Sequence, residues 1–472
     1  MLLSVRRFIL VICYFLVVSL FSRCKVAEVP QLPASPPVPS TFVGASDTLS
    51  MGDLIWEDFF NDPYLLTLID SALQNNLDLQ AAAQRIRIAQ ADYRLRRGAL
   101  LPSARVNVAA NLGTVVNPNL VNDPNVDQSA NNIAQNYFVG FQSSWEADLW
   151  GRLRLRREAA YLRFLASEKG QHLLITNLVA DVARLYYELL GLDNELATIE
   201  QNVEFQEIAL ELVRIQKIAG RATELAVQQF QAQLLRTQSL GFEKRQRIVE
   251  LENELNALLG RYPQPIARGT SILEQSLPDV VRTGVPSSLL LRRPDIREAE
   301  LALAAAQADV AAARKAFFPS LVLSPFVGMN APELAMLVEP EAFAVGLLAG
   351  LTAPIFQQNQ LRAGFDRATA ETLEAYYNYR QVVITGHQEV VTNLRRAENY
   401  RAAYELRQEE AEVLVAAVET SNALFTAGYA NYLEIITAQA RVLEAELSVV
   451  DTRKEIFVSL INLYRALGGG WK

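Results

Sequence analysis

Few side chains in this sequence have the company that chemistry requires. The two histidines, His172 and His387, each stand alone, with no cysteine or second histidine nearby. A lone histidine inside a helical run is packed or solvated more often than it is a ligand, and no zinc-type ligand spacing occurs. A phosphate-cradling glycine loop and a nucleophile elbow are also missing. The formal charge of −8 argues against nucleic acid, because phosphate binding needs clustered lysine and arginine. No metal, no cofactor and no enzymatic activity is therefore expected. The thiols of Cys13 and Cys24 are the reactive groups that remain.

Their setting decides what they can do. Arg6 and Arg7 precede an apolar run from Phe8 to Phe21, which reads as a signal peptide over residues 1–23, too short to span a bilayer comfortably. Cleavage there removes Cys13 and leaves Cys24 without a disulfide partner. A solitary cysteine where the apolar run stops resembles the lipid-attachment site of bacterial lipoproteins, which would put a covalent lipid on Cys24. Such sites carry a small residue before the cysteine, whereas Arg23 stands here, so cleavage without lipid is the other reading. Residues 24–52 form a tether, with five prolines between Val29 and Pro39 favouring extended chain. Beyond it nothing approaches ~18 continuous apolar residues, and no membrane helix is expected.

The rest of the chain is built on long periodic stretches. From Trp150 to Ala219 there is no proline, and Leu178, Val182, Leu185, Leu189, Leu192, Leu196, Ile199 and Val203 recur at alternating spacings of four and three. That heptad seam predicts a helix of roughly 100 Å packed in coiled-coil fashion. Gly220 ends it, and a second periodic run extends from about Thr223 to Leu259. Ahead of this hairpin, the pattern predicts a helix from Asp62 to about Leu101, with Asp62 as N-cap and Pro63 at the first helical position. Two strands follow, at about 103–112 and 136–146, each with an apolar and a polar face at period two.

The order then recurs. Asp78 to Pro102 aligns with Asp295 to Pro319, and the second half again reads as a helix (Ser287 to Phe317), strands at about 320–329 and 343–352, and a long run ending at Gly428. The sequence thus divides into a first repeat over 53–260, a linker over 261–286, a second repeat over 287–467 and a tail over 468–472. Each repeat is helix, two strands, very long helix, glycine turn and returning helix. Strands of about ten residues with one apolar face suit a bilayer as well as a soluble core. In a membrane, four strands cannot close, and an open edge in lipid leaves backbone groups unpaired. The fold class expected is mainly α with a membrane β-barrel portion, closed only by several chains together.

Particular residues carry a resemblance. Leu289-Leu-Leu-Arg-Arg-Pro-Asp-Ile296, Ala299-Glu300, Ala316-Phe-Phe-Pro-Ser320, Asp148-Leu-Trp-Gly-Arg152, Ala427-Gly428, Tyr432-Leu-Glu434 and Ala438-Gln439 together resemble outer-membrane efflux proteins of the TolC family. The likeness extends over about Asp53 to Leu467. It implies a homotrimer whose strands form one outer-membrane barrel and whose helices form a long periplasmic tunnel. It further implies a periplasmic adaptor and an inner-membrane pump of the resistance-nodulation-division type as partners, and a passive exit duct as the function. A periplasmic adaptor or coiled-coil scaffold, and a duct for type I protein secretion, are the competing functions. Carried over from the family, the tip of the tunnel falls on Gly220, Arg221, Glu224, Gly428, Glu434 and Thr437. The acidic gate position is kept at Glu434 and lost at Thr437, and the residues that latch the turn fall on Ala430 and Phe425. Arg221 and Glu224 offer a pair at the first turn, and simple solvation of Glu224 and Glu434 is the alternative role.

Overall fold

The computed structural model describes residues 31–34, 37, 39, 41, 42, 50–114, 133–276, 283–354, 357 and 359–471. Its main elements are α1 (Pro63–Asn75), α2 (Leu77–Gly98), β1 (Ser103–Thr114), β2 (Ile133–Ala147), α3 (Arg152–Ile218) and α4 (Glu224–Leu258). They continue with α5 (Pro294–Lys315), β3 (Ser320–Ala331), β4 (Phe343–Thr352), α6 (Gln360–Thr426) and α7 (Tyr432–Ala466). Both α3 and α6 have 67 residues, and both α4 and α7 have 35. The strands pair antiparallel in the order β1-β2-β3-β4. Proline-free runs of straight-chain and alanine residues explain the helix lengths, since these residues lose little side-chain freedom in a helix.

The two shorter helical runs are broken where a single helix was expected. Asn76 leaves helical geometry between α1 and α2; its Oδ1 accepts from the Leu79 N–H at 3.0 Å, and its Nδ2 donates to the Leu258 carbonyl at 2.9 Å. The buried amide thus caps the second helix and ties it to the end of α4. In the later run, a short helix Leu289–Arg292 precedes α5, and Arg293 between them is extended. Proline at 294 disfavours helical geometry in the residue before it. Asp62 caps α1 as the spacing predicts, its Oδ1 accepting from the Tyr64 N–H at 2.9 Å.

The chain forms two compact units. One holds Ile88–Phe164 and Leu301–Tyr377, and its centre is the sheet. In this unit Val310, Phe365 and Ala368 form a small core beside Phe317. The other unit holds Ser35–Arg87, Leu165–Glu300 and Asn378–Lys472. Its core joins the heptad seam of α3 to α1, α4 and α7, with Phe59 stacked on Tyr464 at 4.2 Å. The Tyr186 hydroxyl donates to Asp62 Oδ2 at 2.6 Å and accepts from the Gly269 N–H at 2.9 Å. Burial, then the bond to Asp62, push that phenol far above its usual range.

Arg293, 7% exposed, is the hub of this unit. Its guanidinium donates to Asp295 at 2.7 and 3.0 Å, to Glu389 at 2.7 Å and to the Ala466 carbonyl at 2.9 Å. One planar fork therefore joins the start of α5, the middle of α6 and the end of α7, which a lysine could not do with a single point charge. Arg293→Ala leaves two carboxylates near the core without their cation and is expected to cost about 3–5 kcal/mol, with Arg293→Lys falling between. Urea unfolding of the detergent-solubilised protein, followed by tryptophan fluorescence, measures it; equal midpoints for Lys and Ala would contradict the bidentate role.

Candidate functional site: the strand faces and the hairpin tips

The sheet register lines up apolar side chains in rows. Val106, Phe141, Val327 and Val345 form one row, and Val108, Val139, Met329 and Phe343 the next. These faces are uncovered in the single chain: Val108 is 73% exposed, Val345 72% and Phe141 62%. The opposite face carries Arg105, Asn107, Gln142 and Glu146, then Gly328, Gly346 and Gly350. Strands of 10–15 residues reach across a hydrocarbon layer, which takes roughly 9–11 tilted residues. β1 and β4 form the two edges, each paired on one side only. Among the described residues no helix is long and apolar enough to cross a membrane.

The joint from β2 into α3 is held by the Asp148 carboxylate, which accepts from the Leu153 and Arg154 N–H groups at 3.0 and 2.9 Å. Burial alone would raise this carboxyl, but those two bonds and the Arg154 guanidinium hold it below its usual range. Gly151, at φ +80°, lets the chain turn into the helix. Trp150 stacks on Phe318 at 5.1 Å and donates to the Pro319 carbonyl at 2.7 Å.

Both helical hairpins end on glycines in the left-handed region, Gly220 at φ +74° and Gly428 at φ +82°, with open space around each. Each returning helix starts on a polar cap. Thr223 Oγ1 accepts from the Ala226 N–H at 3.2 Å, and Asn431 Oδ1 from the Leu433 N–H at 2.8 Å. Glu224 pairs with Lys217 rather than with Arg221, which is exposed and makes no ion pair. Glu434 is exposed, and its Oε1 accepts from Asn431 Nδ2 at 3.1 Å. Asn431 Oδ1 also accepts from the Glu434 N–H at 3.3 Å, so Asn431 is the N-cap, a role that N-x-x-E before a periodic run could have announced. Thr437 is exposed one turn later, and Phe425 packs against a tip core of Leu210, Val213, Phe230 and Ile435. A groove of about 530 Å³ opens beside that core, lined by Phe205, Leu212, Val415 and Gln439 among others. Cys24 lies outside the described residues.

The family model of the outer membrane efflux protein matches residues 68–261 and 285–469. Outer membrane protein OprJ of Pseudomonas aeruginosa is 31% identical over 460 residues, which span 95% of this chain and 93% of that protein. The probable outer membrane lipoprotein SilC of Salmonella typhimurium is 27% identical over 444 residues, spanning 92% and 93%. The crystal structure of the open state of the MtrE outer membrane channel of Neisseria gonorrhoeae has a TM-score of 0.80 to this chain at 26% identity. It covers 94% of this chain and 98% of that one.

The tip geometry separates strain from charge. A Cβ at either glycine turn costs about 1–2 kcal/mol of backbone energy, since no neighbour is struck. Losing the exposed Lys217 partner costs only about 0–1 kcal/mol and less in salt. Hydrogen exchange at the turn amides should therefore speed markedly in Gly428→Ala and hardly at all in Lys217→Ala. The reverse order would show that the ion pair, not the glycine, holds the turn.

Proposed function

The chain belongs to the outer membrane efflux protein family, and from that premise we propose that it is the exit duct of a tripartite efflux system. As an outer-membrane protein with a long helical portion, it would conduct small molecules passively outward, drawing energy from an inner-membrane pump. The observation that carries this reading is the four-stranded sheet with one uncovered apolar face and two unpaired edges. Lipid tolerates apolar faces and forbids open edges, so three protomers would close one barrel between them. A coiled-coil scaffold would have no use for such a sheet. The matched lengths of the two long helices and of the two returning helices support an internal duplication over 53–260 and 287–467.

The glycine-turn tips would form the periplasmic mouth and meet an adaptor protein there. Cleavage after residue 23 would leave Cys24 as a lipid-bearing N-terminus, a reading supported by the resemblance to a probable outer membrane lipoprotein. Mass spectrometry of the detergent-solubilised protein tests assembly and processing together. The expected particle is a trimer of protomers beginning at Cys24 and carrying acyl mass. A folded monomer would sink the shared barrel, and a protomer without added mass would remove the lipid while leaving the duct.

At the mouth, we propose that closure rests on helix packing and one ring of three Glu434 carboxylates. Like charges converging on an axis attract cations and select against anions. In planar bilayers Glu434→Gln should lower cation selectivity with the trimer intact, and Thr437→Asp should add a second ring and deepen block by multivalent cations. Unchanged selectivity in Glu434→Gln would reduce that side chain to its bond with Asn431.

A further inference from the structure

The groove beside the tip core has a lining that helix packing does not explain. Its walls are two apolar seams at spacings of three and four, Phe205, Ile208 and Leu212 on α3 facing Val415, Val418 and Phe425 on α6. Phe230 of α4 and Ile435 of α7, both buried, complete the apolar lining. Coiled-coil seams ordinarily meet, each side chain filling a hole on the facing helix. Here Phe205, Ile208 and Leu212 stay about half exposed beside a space of about 530 Å³. Pockets of roughly 300–1,000 Å³ hold drug-sized molecules.

Two polar features of the same lining point to a ligand. Gln206 of α3 is only 2% exposed, and neither its Oε1 nor its Nε2 has a hydrogen-bond partner. Oε1 of Gln439, on α7, is buried and unpartnered as well. Buried amides are nearly always satisfied, because an unmet one has given up its bonds to water for nothing. The other feature is charge. Glu419 and Glu446 line the groove, and among the described residues no lysine or arginine does. Glu446 accepts from Asn202 Nδ2 at 2.9 Å, whereas the exposed Glu419 makes no hydrogen bond or ion pair. We infer that this groove binds a small amphipathic organic cation that carries N–H donors. Its apolar body lies among Phe205, Phe230 and Phe425, whose ring faces also favour positive charge. Its N–H groups donate to the amide oxygens of Gln206 and Gln439, and its charge meets Glu419 and Glu446. Touching α3 on one side and α6 and α7 on the other, the ligand bridges the two hairpins of one protomer. The site goes beyond the exit-duct reading and does not depend on it.

Ethidium, a flat apolar cation with two aryl amines, is the probe. Its emission, titrated with the detergent-solubilised protein and corrected for empty micelles, should saturate at one molecule per protomer. The dissociation constant should rise about tenfold in the Glu419→Gln/Glu446→Gln double variant, and added salt should weaken binding to the wild type. The anion 1-anilinonaphthalene-8-sulfonate should not displace ethidium. Gln206→Leu should weaken binding about tenfold while raising the thermal midpoint, since it removes an unmet buried amide. A higher midpoint with unchanged binding would overturn the site, because the amide would then be a packing defect alone. Should Gln206→Leu fail to fold, the exposed Glu419→Gln must still weaken ethidium about threefold. Equal binding by the wild type and both glutamate variants would reduce the groove to an apolar surface and overturn the cation site. Absence of saturable ethidium binding to the wild type would overturn it too, and would leave the groove to a partner's helix.

Discussion

Backbone hydrogen bonding at the two sheet edges constrains everything else in the assembly proposed. Each edge strand offers a row of N–H and C=O groups on one side, and in hydrocarbon each unmet group costs several kcal/mol. No rearrangement inside one protomer removes both edges of a four-stranded sheet. In the assembly proposed, other copies would satisfy the edges, and stability of the membrane portion and oligomeric state would become the same property. The uncovered apolar rows then have a use that a soluble protein would lack, because exposed patches of this kind otherwise drive aggregation.

The helical unit obeys a different logic. Its core is apolar along the heptad seam, but its corners are fixed by buried polar groups: Asp62 with Tyr186, Asn76 with Leu258, and Arg293 with Asp295, Glu389 and Ala466. Long helices slide past one another at little cost when only leucine faces leucine. A buried polar network that must be fully satisfied permits a single register. Glu434 at the tip sits between these regimes, engaged by the capping Asn431 yet exposed.

Much of this was legible in the sequence because it is periodic. Leu178, Val182, Leu185, Leu189 and Ile199 are buried, as a seam at fours and threes requires, and the alternating stretches beginning at Ser103, Ser320 and Phe343 are strands. What escaped is what depends on distant partners. Asn76 breaks a helix because Leu258, 182 residues away, takes its amide. Arg293 binds a carboxylate 96 residues on and a carbonyl 173 residues on, which no local pattern encodes. At the first turn, Glu224 reaches back to Lys217 across the bend, a choice set by the path of the turn rather than by spacing alone.

The stacking of Phe59 on Tyr464, and the bond from the Tyr464 hydroxyl to the Leu54 carbonyl across 410 residues, bear on how the chain is born. The core of the helical unit takes in residues as far apart in sequence as Phe42 and Leu467, and Trp471 stacks on His172. An emerging chain holds its first aromatic residues long before their partners exist. Contacts this distant must wait for loop closure and form slowly. The part of the core around Phe59 therefore cannot close until Tyr464 is available. Whatever packs earlier, these aromatic contacts are completed only when the late residues arrive.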